Sequence, residues 1–66
     1  MRTFSFFIYH LGSATPTAVF EFAEDEAAAK VIAEQVLADS SHRIAVEVRE
    51  ADELLFRLDR PNTNQH

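Results

Sequence analysis

Residues Glu24 to Asp39 read EDEAAAKVIAEQVLAD, and this stretch decides the fold. It is the only segment with helical periodicity. Ala29, Ile32, Ala33, Val36 and Leu37 recur at i, i+3, i+4, i+7 and i+8, which draws one apolar stripe along a helix. Glu24, Asp25 and Glu26 place three carboxylates where the helix dipole is positive. Asp25 is the expected N-cap and Glu24 the alternative, and no capping box is present. Ala27 to Ala29 are strong helix formers, and Glu26 and Lys30 stand four apart in the favourable order. Asp39-Ser40-Ser41 ends the pattern without a glycine cap.

Strand-like runs lie on both sides of the helix. Before it come Phe4–Tyr9 and Ala18–Phe22, and after it Ile44–Arg49 and Leu54–Leu58. Period two puts Phe4, Phe6 and Ile8 on one face of the first run, with Ser5, Phe7 and Tyr9 on the other. The same rule assigns Ala18, Phe20 and Phe22 to one face of the second run, and Val19 and Glu21 to its reverse. In the third run Ile44, Val46 and Val48 point in while Glu47 and Arg49 point out. In the fourth, Leu54, Phe56 and Leu58 oppose Leu55 and Arg57. Gly12 to Thr17 is a loop by composition, and Glu50 to Glu53 a short polar turn.

The expected fold class is therefore α+β: a four-stranded, mainly antiparallel sheet with one helix on one face, in the order ββαββ. One domain covers residues 1–60, and 61–66 form a polar, disordered C-terminal tail. The expected core is Phe4, Phe6, Ile8, Phe20, Phe22, Ile32, Val36, Leu37, Ile44, Val46, Val48, Leu54, Phe56 and Leu58.

A chain of 66 residues is too short for more than one domain and buries only about 60% of its unfolded surface. With no cysteine, no disulfide reinforces it. Good packing by six phenylalanines, or pairing with a second copy as a homodimer, must supply the margin. The absence of cysteine fits a reducing, cytoplasmic setting. Phe4–Leu11 is short for a signal sequence, and cleavage after it would remove a strand that the core needs. No apolar run approaches the ~20 residues that span a bilayer.

Eleven acidic against six basic residues give a formal charge of −5. That charge disfavours direct contact with nucleic acid or an anionic membrane, because phosphate contacts need clustered Lys and Arg. It suits a basic protein partner, including one whose own ligand is nucleic acid. Glu24, Asp25 and Glu26 at the helix start, and Glu50, Asp52 and Glu53 at the last turn, could imitate duplex phosphates on such a partner. Phe7 and Tyr9 on the uncovered sheet face, with Val19 and Leu55, offer an apolar patch as the alternative binding surface.

No residue is assigned a catalytic, cofactor-binding or metal-binding role. His10, His42 and His66 lack ligand spacing. Ser40-Ser41-His42 are neighbours in sequence, whereas a triad needs groups opposed in space. Gly12 is the only glycine, which excludes a glycine-rich phosphate loop. The reading is a non-enzyme, and an enzyme would need a site between subunits, lined by His10 or Tyr9.

Phe4–His10 (FSFFIYH), Glu26–Asp39 (EAAAKVIAEQVLAD) and Ile44–Leu58 (IAVEVREADELLFRL) resemble a family of small bacterial ββαββ proteins of uncharacterised function. The resemblance spans most of the chain and rests on patterns of apolar and small residues. That family usually carries an acidic-glycine turn after its first strand, where this chain has Ser13-Ala14-Thr15-Pro16. It implies the fold and no active site. In size, acidity and layout the chain also resembles phage-encoded anti-CRISPR proteins. That second likeness implies a small inhibitor that occupies a CRISPR effector complex.

Overall fold

The computed structural model describes residues 1–60, so the expectation of a disordered tail over 61–66 lies outside the described residues. The elements are β1 (Arg2–His10), β2 (Thr17–Ala23), α1 (Glu26–Ala38), β3 (Arg43–Glu50) and β4 (Glu53–Asp59). They form one sheet in the order β2-β1-β3-β4, with every neighbouring pair antiparallel. The helix lies on one face, chiefly over β3. This is the ββαββ arrangement that the periodicities imply.

The helix stripe behaves as its spacing requires. Ala29, Ala33 and Leu37 are buried, with Ala28, Ile32 and Val36 packed against the same core. Ala29 and Ala33 have no exposed surface, and their small side chains let the helix lie close to the strands. Beneath them are Phe4, Phe6, Ile8, Val46 and Val48. Asp25 is the N-cap; its backbone is extended and its carboxylate accepts a hydrogen bond from the Ala28 N–H at 2.9 Å. Two arginines do the work of the missing glycine at the other end. The Arg43 guanidinium donates to the Val36 carbonyl at 2.9 Å. Arg60 donates to the carbonyls of Leu37, Ser40 (2.6 Å) and Arg43 (2.7 Å). The bonds to Val36 and Leu37 serve carbonyls that the helix end leaves open, and those to Ser40 and Arg43 tie that end to the start of β3.

Three strand assignments differ from the simple alternation. In β2 the faces are reversed. The register pairs Phe6 with Val19 and Arg2 with Ala23, so Val19, Glu21 and Ala23 share the helix side. Phe20 and Phe22 lie on the open face, 67% and 69% exposed. The parity is set where the chain enters the helix: Ala23, two residues before the N-cap, is in the core, and a small residue fits there.

In β4 an irregularity accounts for the difference. Val48 pairs with Phe56 and Arg49 with Leu54, which leaves Leu55 as an extra residue. Leu55 packs against the core, and Leu54 moves to the open face, 47% exposed. A second irregularity pairs Tyr9 with Ala45 and His10 with Arg43, so Ile44 has no partner on β1 and is 40% exposed. Phe20, Phe22, Ile44 and Leu54 therefore leave the expected core; Val19, Ala23 and Leu55 join it from the strands, and Ala29 and Ala33 from the helix.

The β3–β4 turn holds Ala51 at φ 55°, in the left-handed region where a Cβ is crowded. Ala51→Gly relieves that strain but loosens the unfolded chain, and the balance favours the variant by about 0.5–1 kcal/mol. A thermal midpoint a few degrees higher is the expected result by circular dichroism. An unchanged or lower midpoint would mean that the side chain costs nothing there.

Candidate functional site

The ends of the elements sort the charges. β2 ends and α1 begins at the same end of the sheet at which β3 turns into β4 and β1 starts. The two acidic groups, Glu24-Asp25-Glu26 and Glu50-Asp52-Glu53, are 24 residues or more apart in sequence and meet there in space. Arg2 joins them. Its Nε and Nη2 donate to the two oxygens of Glu50 at 2.8 and 2.7 Å, and its charge also feels Glu26 and Asp25. The same guanidinium stacks 5.1 Å from the centre of the Phe4 ring.

This pole carries a strong excess of negative charge. Its six carboxylates and Arg2 sum to −5, and the other five acids and five bases, Lys30 one turn beyond Glu26 among them, cancel in count. Two of the six have structural duties: Asp25 caps the helix and Glu50 is clamped by Arg2. Among the described residues Glu24, Glu26, Asp52 and Glu53 are exposed and form no ion pair.

The hydrogen bonds from Arg2 hold the Glu50 carboxyl below its ordinary value of 4.5. A depressed carboxyl adds stability above that ordinary value and loses it as pH falls through the lower folded value. The Arg2–Glu50 bond therefore weakens as pH falls through that lower value.

The open sheet face presents Phe7 and Tyr9 as expected, but not bare. Arg49 lies over the Phe7 ring at 5.6 Å and Arg57 over Tyr9 at 5.2 Å. Glu47 sits between them. It accepts from the Tyr9 hydroxyl (3.1 Å) and from Arg57 (3.1 Å), and lies 3.5 Å from Arg49. Arg57 also donates to Asp59 at 3.0 Å. The β3–β4 half of the face is thus a neutral, self-satisfied network. Val19 and Leu55, expected beside Phe7 and Tyr9, are on the helix side. The bare apolar surface lies instead mainly on β2, at Phe20 and Phe22, with Leu54 half-exposed on β4. The small Ala23 just ahead of the N-cap was the available signal for that reversal.

The hydrogen bond to Glu47 raises the Tyr9 hydroxyl above its ordinary value of 10.0. Tyr9 is the only tyrosine and there is no tryptophan, so tyrosinate absorbance reads this one group. A raised value means that the bond stabilises the fold below pH 10 and ceases to do so as pH rises through the folded value. The folded chain is expected to titrate above the unfolded chain, with the midpoint falling back in Glu47→Gln. A folded midpoint at or below the unfolded one would remove Glu47 from this role.

Two shallow grooves run between the helix and β4. One, of about 470 Å³, is lined by Glu26, Ala27, Lys30, Phe56, Arg57 and Leu58. The other, of about 350 Å³, is lined by Glu34, Leu37, Ala38, Leu58, Asp59 and Arg60. No polar or charged residue among those described is buried, so neither groove holds a desolvated acid or base. His10 meets the Thr17 hydroxyl at 3.1 Å, and Ser40 accepts from the backbone of His42. Among the described residues no group of three His, Asp or Glu side chains could hold a metal ion. No described helix is long and apolar enough to cross a membrane.

No protein-family model matches the sequence, and comparison with curated proteins and with solved structures gives no match either. Function must be read from the surface.

Proposed function

We propose that the chain is a non-catalytic protein-binding module whose acidic pole engages a basic surface on another protein. One observation carries this reading: two acidic groups far apart in sequence, six carboxylates in all, converge at one end of the molecule around Arg2. A concentrated field of one sign steers association and selects oppositely charged surfaces. Basic grooves of that kind are what nucleic-acid-handling proteins present to phosphates. The narrower form of the proposal is an inhibitor that occupies such a groove in the cytoplasm by imitating nucleic-acid charge, as anti-CRISPR proteins of similar format do.

Displacement of labelled duplex DNA from guide-loaded CRISPR effector complexes tests it. The informative variant reverses Glu24, Glu26, Asp52 and Glu53 to lysine and leaves Asp25 and Glu50 in their structural roles. The wild-type chain is expected to displace DNA, with potency falling as salt is added, and the reversed chain to lose at least about tenfold. Equal potency of the two chains discards the electrostatic route. Failure of the wild type on every complex discards the inhibitor.

A second reading, a self-pairing domain, is favoured by the exposed phenylalanines of β2.

A further inference from the structure

The sheet has two edges, and they are built differently. Along β4 the extra residue at Leu55 breaks the ladder, and Glu53, Arg57 and Asp59 add charge. Bulges and charges are the usual means of blunting an edge. Along β2, Thr17–Ala23, the register with β1 runs without interruption. The strand has no proline, no lysine and one charged residue, Glu21. Its open-face side chains Phe20 and Phe22 are two-thirds exposed.

We propose that β2 is a strand-pairing edge and that its partner is β2 of a second copy, antiparallel, with Phe20 against Phe20 across a two-fold axis. This proposal stands apart from the acidic-pole reading. The strand is self-complementary about Phe20. In that register Phe22 faces the small Ala18, and Val19 faces Glu21. Shifting the axis to Glu21 would set two glutamates directly opposite, which is unfavourable.

Charge selects the same arrangement. β2 runs toward the acidic pole, so antiparallel pairing carries the two poles to opposite ends of the joined sheet. Seven residues extend about 24 Å, beyond the ~8 Å over which salt screens charge. Parallel pairing would place both poles side by side. Two copies bring together four rings, each two-thirds exposed, which at roughly 200 Å² per ring is on the order of 500 Å² of exposed aromatic surface. With the two strand backbones the buried area approaches the ~1,000 Å² that a specific interface needs.

Sedimentation across the micromolar range reads the association. The wild type is expected to be dimeric, and Phe20→Lys with Phe22→Lys monomeric with an unchanged far-UV spectrum. The chain has no cysteine, so single replacements report the register. Phe20→Cys is expected to cross-link on oxidation, and Glu21→Cys, whose counterpart lies diagonally across the pair, is not. A wild type that stays monomeric at every concentration overturns the proposal. A dimer that survives the double lysine variant, or that cross-links through Glu21→Cys and not Phe20→Cys, overturns it as well.

Discussion

Phe6→Ala is expected to cost about 3–5 kcal/mol. The ring is 1% exposed, and it lies on the central strand β1 among Phe4, Ile8, Val46 and Val48. A small domain has little more than that to lose, since folded proteins hold only about 5–15 kcal/mol in all. Urea unfolding should place the midpoint of the variant near or below zero denaturant. Phe20→Ala, measured where the chain is monomeric, should cost under about 1 kcal/mol because its ring faces water. The pair of substitutions is a direct test of the faces. Equal losses would mean that β2 presents Phe20 to the core after all.

Arg60→Ala should have the second-largest effect. One guanidinium donates to three backbone carbonyls, of Leu37 in the last turn of α1, of Ser40 in the connection after it and of Arg43 at the start of β3. The backbone N–H of Arg60 also reaches the Ile44 carbonyl at 2.8 Å. Hydrogen bonds from charged groups contribute about 1.5–3 kcal/mol each when isolated. Sharing one partly exposed side chain lowers the total expected loss to about 2–3 kcal/mol. Arg60→Lys should recover little, because a single ammonium cannot span the carbonyls that the planar fork reaches. Amide exchange should quicken first in the last turn of α1, at Val36 to Asp39. Full recovery by lysine would reduce Arg60 to a general positive charge at the helix end.

The helix was legible because its signals agree: an apolar stripe, alanines where contact is close, and an aspartate cap. The strands were legible in number and order along the chain, and β1 and the middle of β3 also in facing, because their alternation is unambiguous. β2 was not. Its two faces, Ala-Phe-Phe and Val-Glu-Ala, look like core and solvent, yet pairing with β1 and the entry into the helix reverse them. Hydropathy gave the wrong side because an edge strand at the rim of a one-helix cover can leave phenylalanines outside. β4 misled for another reason. Alternation assumes that no residue is skipped, and Leu55 is skipped.

Of the candidate site, each acidic group could be seen in the sequence, but their meeting could not. It depends on strand order and on the helix starting beside the last turn. Arg43 and Arg60 gave no sequence signal as helix-end donors, since their reach across the fold follows from tertiary placement.

If copies pair through β2 as proposed, the extra residue in β4 would limit how far that assembly goes. A sheet with one usable edge closes into a pair and stops. A sheet with two usable edges can add copies at both sides and grow into an open-ended ribbon. Removing Leu55 would leave Leu54, Phe56, Arg57, Leu58 and Asp59 in plain alternation, a regular second edge guarded only by its charges. On the proposed pairing, the surplus leucine, together with the charges of Glu53, Arg57 and Asp59, stands between a closed pair and an open-ended ribbon.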